Sequence, residues 1–399
     1  MRNKVVLAYS GGLDTSVAIK WIIEKYDSDV ITVTVDVGQG DDPDIIRKRA
    51  ERIGAIKHYS IDAKDEFAGD YVYPAVKANA LYQGKYPIST ALSRPLIASK
   101  LVEIANKERA SAVAHGCTGK GNDQVRFDVT VASLAPKMKI IAPIREWRLS
   151  REEEIEYAKE HDILIPVKPE SPYSIDQNLY GRSIEAGILE DPLAEPPEEV
   201  FELTASPQKS PDKPEYITLE FSEGTPRSVN GSKEAPVALI NKVSNIAGRN
   251  GVGRIDHIED RLVGIKSREV YECPASAVLI EAHRDLEKCV LTRHELAFKQ
   301  LVDTQWTVAA YTGLWMDPLM DDLNAFVNKT QERVNGTVKV KLHKGTCQVV
   351  GRSSPMSLYN RDLATYGVDT TFDQTMATGF IELWGLQTKM ANMVRRGDR

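Results

Sequence analysis

Residues 8–16 read Ala8-Tyr9-Ser10-Gly11-Gly12-Leu13-Asp14-Thr15-Ser16, and the first chemistry of the chain is written there. Two glycines let a backbone turn with positive φ and approach a ligand closely. N–H groups clustered at a helix start bind phosphate, because the helix dipole places positive potential there. Ser10, Thr15 and Ser16 add hydroxyls, and Asp14 adds a carboxylate able to orient a metal ion or a water. A Gly-Gly pair also serves as a plain strand-to-helix turn, with Asp14 or Thr15 as N-cap. The position of the pair favours phosphate, since open parallel sheets bind ligands beyond the carboxyl ends of their strands. It is neither a G-x-x-x-x-G-K-[ST] loop nor a dinucleotide fingerprint.

A second constellation spans residues 115–127: His115-Gly116-Cys117-Thr118-Gly119-Lys120-Gly121-Asn122-Asp123-Gln124-Val125-Arg126-Phe127. Three glycines in a polar loop give another set of N–H donors. Lys120 and Arg126 add positive charge, and an arginine grips a carboxylate with two hydrogen bonds. Thr118, Asn122 and Asp123 add directional contacts, with Asp123 suited to a substrate ammonium. Such a loop suits an amino acid beside a phosphate. Taken alone it is equally a glycine loop with solvated charges.

These loops need elements to hold them. Lys4–Ala8 reads as a buried strand, and the apolar spacing from Ser16 to Ile23 predicts a helix after it. Strands are predicted at Val30–Val37, Lys57–Ile61, Ser111–His115 and Lys139–Ala142. Helices are predicted at Pro43–Arg52, Asp65–Val76, Ser93–Lys107 and Arg151–Glu160. Repeated β-α units of this size mean a doubly wound parallel sheet. In it, Val35 and Asp36 would lie near the ribose or adenine of a nucleotide held by the Gly-Gly loop.

Prolines at 166, 169 and 172 mark a linker over Ile165–Ser174. Six more between 192 and 214 predict a long polar surface excursion. Beyond it, strands (Tyr216–Phe221, Arg254–Ile258, Glu269–Glu272, and a hairpin over Thr337–Leu342 and Gly345–Gly351) mix with helices (Ala235–Ala247, Ala275–Leu291, Glu295–Gln300, Pro318–Val334). This order predicts an α+β second domain. Gly379–Arg396 predicts a terminal helix with Phe380, Leu383, Leu386, Met390 and Met393 on a narrow seam, which suits a partner subunit. The divisions are 1–165, 166–362 and 363–399.

A chain of 399 residues exceeds one ordinary core. The net charge of −6 disfavours a polyanion-binding surface. No apolar run approaches membrane-spanning length, and no signal peptide precedes the first strand. Cys117, Cys273, Cys289 and Cys347 form no C-x-x-C pair, which suits reduced thiols and a cytoplasmic setting. The histidines His257, His283 and His294 are scattered, without zinc spacing.

The pattern S-G-G-x-D-[ST]-S resembles the pyrophosphate loop of ATP pyrophosphatases, which cleave ATP between its α and β phosphates and carry AMP on the activated substrate. Further motifs narrow the resemblance. They are Ala-Leu-Tyr from Ala80, Gly-x-Thr-Gly-Lys-Gly-Asn-Asp-Gln-Val-Arg-Phe from Gly116, Glu-Ala-Gly-Ile-Leu-Glu from Glu185, Gly-Val-Gly-Arg-Ile-Asp from Gly251, Lys-Ser-Arg-x-x-Tyr-Glu from Lys266 and Ala-Thr-Gly-Phe-Ile from Ala377. With them the chain resembles the argininosuccinate synthetases over nearly all its length. The resemblance implies an adenine nucleotide α-hydrolase-like sheet, an AMP-forming condensation of citrulline with aspartate, ATP as co-substrate with Mg²⁺, and a homotetramer. It implies that Ala8, Tyr9, Ser10, Gly11, Gly12, Leu13, Asp14, Thr15, Ser16, Val35 and Gly116 hold ATP. Thr118, Asn122 and Asp123 would bind aspartate. Tyr86, Thr90, Asn122, Arg126, Ser174, Ser183, Glu259 and Tyr271 would bind citrulline. Asp14, Lys120 and Asp123 would serve the chemistry. No general base stands out, and Asp123 or a phosphate is the candidate acceptor for the proton of the aspartate amine. Two alternatives remain open at this point. A tRNA-modifying adenylase would want a basic surface and paired cysteines. A nucleotide sensor would bind ATP without releasing pyrophosphate.

Overall fold

The computed structural model describes residues 2–147, 150–163 and 172–397. Its chain forms two compact units, Met1–Met356 and Ser357–Arg399. The first unit opens on a parallel sheet of β1 (Asn3–Ala8), β2 (Ser28–Asp36), β3 (Lys57–Asp62), β4 (Ala112–Ala114) and β5 (Lys139–Ile141). The strand order is β3-β2-β1-β4-β5. The chain winds outward from β1 in one direction and resumes at β4 on its other side. That switch point opens a crevice at the carboxyl ends of β1 and β4. The centre of β2 is buried at every position from Val30 to Val35, as a strand covered on both faces must be. Val5 and Leu7 pack with Ile19 and Ile22 of helix Leu13–Tyr26 on one face. Val6 packs with Leu96, Leu101 and Ala105 of helix Ser93–Glu108 on the other.

The predicted helices of this domain form with small shifts. Pro43 starts its helix behind an Asp42 N-cap, whose carboxylate accepts from Asp44 N at 2.9 Å. The predicted helix over Asp65–Val76 is helical but not uniform. A π-helical turn, Phe67–Val72, separates Lys64–Glu66 from Tyr73–Lys77. Pro74 has no N–H to close an α-helical bond there, and the wider turn accommodates the gap.

The rest of the first unit adds β6 (Ser174–Asn178), β7 (Gly181–Glu185), β8 (Glu215–Ser222), β9 (Thr225–Val229), β10 (Ser232–Lys233), β11 (Arg254–Asp260), β12 (Lys266–Glu272), β13 (Gly336–His343) and β14 (Thr346–Ser353). They form two antiparallel sheets, β10-β9-β8-β13-β14 and β11-β12-β7-β6. The α+β expectation therefore stands. Strands β6, β7, β9 and β10 were not predicted, because these short strands are polar or carry proline. Ser174–Asn178 has no apolar alternation, and the edge strand holds its register through pairing with β7, Ile175 opposite Ile184. Helix Arg293–Tyr311 runs well past the predicted end at Gln300.

The proline-rich stretch 192–214 needs a correction. It is not a free excursion. Val200, Thr204, Ser206 and Ser210 are buried. The buried Glu272 carboxylate accepts from the backbone N–H of Glu202 at 2.9 Å and of Leu203 and Thr204 at 2.8 Å. Arg182 balances that charge at 2.9 Å. A buried carboxylate thus satisfies a polar segment that hydropathy assigns to solvent. The predicted linker lies outside the described residues from 165 to 171.

The second unit carries helix Met376–Arg396, none of whose residues is buried. Its apolar surface is broader than the predicted seam. Ile381 and Trp384 are exposed beside Phe380 and Leu383, and Phe380 stacks on Trp384 with centroids 5.5 Å apart. Among the described residues no helix is long and apolar enough to cross a membrane.

Candidate active site

At the carboxyl end of β1 the backbone leaves the sheet through Tyr9, whose N–H bonds Val33 O at 2.9 Å. Gly11 takes φ +79°, a conformation that glycine adopts freely. Helix Leu13–Tyr26 then begins on Gly12 as N-cap. Asp14 and Thr15 lie inside this helix, so neither is its N-cap, and Gly12 has no side chain to satisfy the first-turn N–H groups. Ser10 Oγ and Thr15 Oγ1 lie 3.1 Å apart across the turn. The loop after β4 abuts this turn. A Cβ at Gly116 would come within 2.8 Å of the Thr15 methyl, so only glycine lets the two loops meet as they do.

The two loops form one wall of a cavity of about 730 Å³. Of the predicted nucleotide residues, Ala8, Tyr9, Ser10, Gly12, Asp14, Thr15, Val35 and Gly116 line it. Gly11, Leu13 and Ser16 do not. The Ser16 hydroxyl turns inward to Tyr9 Oη at 3.0 Å, Leu13 packs against Val17, Ala158 and Ile163, and Gly11 shapes the turn. Asp36 is also absent from the lining. It pairs with Lys64 and accepts from Gly38 N at 2.9 Å, while Gln39 and Asp41 stand at the cavity on that side. All the predicted amino-acid residues line the cavity: Tyr86, Thr90, Thr118, Asn122, Asp123, Arg126, Ser174, Ser183, Glu259 and Tyr271. Lys120 does not. Its side chain is exposed, and only its backbone touches the far wall, through a 3.5 Å contact from Arg261 to its carbonyl.

Charge alternates across this cavity. Asp123, at the start of helix Asp123–Leu134, is held by Arg94 at 2.9 Å and by Arg126 at 2.8 Å. Burial opposes its ionisation, but the two guanidiniums outweigh burial and hold its carboxyl far below the usual range. Asp123 is therefore held as an anion, which weighs against it as the acceptor of the amine proton. Arg94 also pairs with Asp176, whose carboxyl is pushed up by burial. Arg261 bridges Glu185 at 2.6 Å and Glu269 at 2.8 Å. Burial, reinforced by the Glu269 charge, raises the Glu185 carboxyl to about 7. Glu259 accepts from Tyr271 Oη at 2.8 Å and from Tyr311 Oη at 2.6 Å. Tyr86 stacks on Tyr271 with centroids 4.0 Å apart, and its hydroxyl lies 2.8 Å from Thr90 Oγ1. Two guanidinium nitrogens, Arg94 Nε and Arg126 Nη2, are buried without a partner.

A cradle of main-chain donors beside a chamber of alternating charges fits a nucleotide triphosphate next to zwitterions. Residues 4–164 match the family model for the arginosuccinate synthase N-terminal HUP domain, and residues 173–391 match that for the arginosuccinate synthase C-terminal domain. The chain belongs to the argininosuccinate synthase family. The argininosuccinate synthase of Oceanobacillus iheyensis is 58% identical over 98% of this chain and 94% of its own length. That of Pyrococcus furiosus is 57% identical over 99% of this chain and 95% of its own. That of Dehalococcoides mccartyi strain 195 is 55% identical over 98% and 96%.

Sequence reasoning missed several residues that this argininosuccinate synthase fold brings to the cavity. Arg94 sits one residue before the proline in the first turn of helix Ser93–Glu108, where a lone arginine reads as solvated. Asp176 lies on a strand without a hydrophobic signal. Glu185, Glu269 and Arg261 fell inside quoted motifs or next to them, yet nothing in their spacing shows that they face one another.

Proposed function

We propose that this chain is an argininosuccinate synthase that joins citrulline to aspartate at the expense of ATP, with AMP and pyrophosphate as products. The observation that carries the reading is the family match across nearly the whole chain. The cavity agrees with it. The main-chain cradle at Gly12–Thr15 suits the phosphates of ATP, and the charged chamber suits two amino acids.

The ureido oxygen of citrulline is a poor leaving group. It attacks the α-phosphorus, the bond to pyrophosphate breaks, and citrullyl-AMP forms. The aspartate amine then forms a bond to the ureido carbon, loses a proton, and expels AMP. The protein contributes alignment and charge neutralisation. Ala8, Tyr9, Ser10, Gly12, Asp14, Thr15, Val35 and Gly116 are assigned to ATP, with Gly11 shaping the turn. Thr118, Asn122 and Asp123 are assigned to aspartate, Asp123 as a fixed anion for the ammonium. Tyr86, Thr90, Asn122, Arg126, Ser174, Ser183, Glu259 and Tyr271 are assigned to citrulline. The unpartnered Arg126 Nη2 suits a substrate carboxylate. The exposed Lys120 is assigned no step.

Mg²⁺ neutralises charge on the departing pyrophosphate when bound. Among the described residues no group of three His, Cys, Asp or Glu forms a cage. The oxygen donors at the loop are Asp14, Ser10 and Thr15, so the ion would be held chiefly by ATP itself with these groups completing its shell.

We further assign the divisions 1–165, 166–362 and 363–399, a cytoplasmic setting and a homotetramer. The exposed apolar surface of helix Met376–Arg396 supports self-association. The deciding experiment is pyrophosphate release with ATP and Mg²⁺, with citrulline and aspartate added singly and together. Turnover with both, giving AMP and argininosuccinate and indifferent to added tRNA, is the expected result. Release independent of amino acids would overturn the reading.

A further inference from the structure

Helix Arg293–Tyr311 contributes no residue to the lining of the cavity, yet its last residue touches three that do. Tyr311 Oη donates to Glu259 Oε1 at 2.6 Å and accepts from Asn122 Nδ2 at 2.7 Å. Its carbonyl, one of those a helix C-terminus leaves unpaired, accepts from Arg126 Nε at 2.8 Å. The Arg126 guanidinium lies over its ring, 4.7 Å from the centroid. The opposite side of the ring is taken by Tyr82, stacked with centroids 3.5 Å apart. Gly313 follows with φ +83°, and a Cβ there would come within 2.9 Å of Arg126 Cα. The chain after Tyr311 thus lies flat against the Arg126 backbone, and the phenol is fixed from three directions.

We propose that Tyr311 is a positioning residue for the amino-acid chamber, setting Glu259, Asn122 and Arg126 in one arrangement before substrate enters. The inference rests on the citrulline assignment made above for those three residues. Without the Tyr311 hydroxyl, Glu259 keeps one phenolic donor and Asn122 loses the acceptor of its amide. A carboxylate that has lost a short charge-assisted hydrogen bond is a weaker anion and freer to turn.

The groups facing Glu259 set the sign of a pH effect. Burial raises its carboxyl, Tyr311 and Tyr271 lower it by hydrogen bonding, Glu269 raises it, and Arg126 lowers it. Tyr82 and Tyr86 face it as neutral phenols. Removing the Tyr311 donor therefore raises it further, and the carboxylate needed for an ammonium forms only at higher pH.

The test is Tyr311→Phe, which keeps the ring against Tyr82 and Arg126 and keeps the backbone carbonyl. The control is Thr307→Val on the same helix, whose buried hydroxyl donates only to Asp303 O at 2.7 Å. For Tyr311→Phe, KM for citrulline should rise roughly tenfold with KM for ATP within about twofold. The acid limb of kcat/KM for citrulline should move up by roughly half a pH unit or more. Thr307→Val should leave both readouts at parental values. The limb position does not depend on what fraction of a preparation is folded. An unmoved limb would overturn the proposal, whether KM values stay at parental levels or all rise together with a lowered Tm. A parent enzyme without citrulline-dependent turnover would instead overturn the assignment beneath it.

Discussion

Two clusters of charge among the described residues are built differently. One is remote from the cavity. Lys299 Nζ reaches Asp303 at 2.8 Å, Glu287 at 3.0 Å and the Lys77 carbonyl at 2.8 Å. Asn79 Nδ2 donates to Glu287 at 2.7 Å and Asp303 at 3.0 Å, and His283 lies 2.7 Å from both Asn79 Oδ1 and Gln331 Oε1. None of these side chains has an unpartnered buried atom. The other cluster lines the cavity. Arg94, Arg126 and Arg261 interleave there with Asp123, Asp176, Glu185, Glu259 and Glu269, and Arg94 Nε and Arg126 Nη2 lack partners. A closed cluster ties helices together. An open one keeps donors in reserve for a ligand, and it accepts a desolvation cost that the ligand relieves.

That contrast breaks if the closed cluster matters to turnover or the open one only to folding. Lys299→Met removes one partner from a cluster that is almost wholly buried. Chemical denaturation should show a loss of about 3–5 kcal/mol, because two carboxylates are left uncompensated. KM values of the folded enzyme should stay within about twofold. A large change in KM without loss of stability would merge the two clusters into one functional network. Asp123→Asn addresses the open cluster. It removes the anion between Arg94 and Arg126, and KM for aspartate should rise roughly a hundredfold, as for a lost charged contact. Citrulline-dependent pyrophosphate formation in a single turnover should persist. Loss of that first half-reaction would show that Asp123 serves adenylation instead.

The legibility of this chain divides along the same line. The parallel sheet was readable because β-branched runs and helix periodicity repeat at β-α spacing, and because Gly11 and Gly12 mark where the first strand ends. The residues assigned to the amino acids came from the resemblance, and all of them line the cavity. What was not readable is charge pairing at long range. Arg94 and Asp176 are 82 positions apart, and Arg261 meets Glu185 across 76. No local pattern encodes such pairs. The same holds for Glu272, which buries the proline-rich stretch by accepting its backbone N–H groups. Tyr311 escaped because it is the last residue of a helix whose predicted end fell eleven residues short, at Gln300.

At the Gly116 loop, assigned above to ATP, the effect of a substitution should be smaller and purely steric. Gly116→Ala brings a methyl within 2.8 Å of the Thr15 methyl, so one loop must yield. KM for ATP should rise roughly tenfold, with KM for aspartate nearly unchanged, since a shift of a few tenths of an ångström weakens several cradle contacts a little. Equal rises for every substrate would mean that the loops move as one body with the chamber.

The smallest effect concerns Glu185 and tests whether the open cluster carries unmet charge. Its carboxyl is raised from an ordinary 4.5 to about 7, by burial first and then by Glu269. The folded chain therefore binds this proton more tightly than the unfolded chain. Between those two values the folded state carries the excess proton, so the contribution of Glu185 to stability is fully present below about 4.5 and is lost as pH rises to about 7. Glu185→Gln abolishes that titration and leaves Arg261 its bond to Glu269. The difference in Tm between variant and parent should then move in favour of the variant as pH rises from 5 to 8, and level off above that. Its size stays small, because the Glu185 side chain is 40% exposed and solvent screens it. A difference independent of pH would mean that Arg261 neutralises Glu185 fully in the empty enzyme. The reserve of unmet charge would then reside in Arg94 and Arg126 alone.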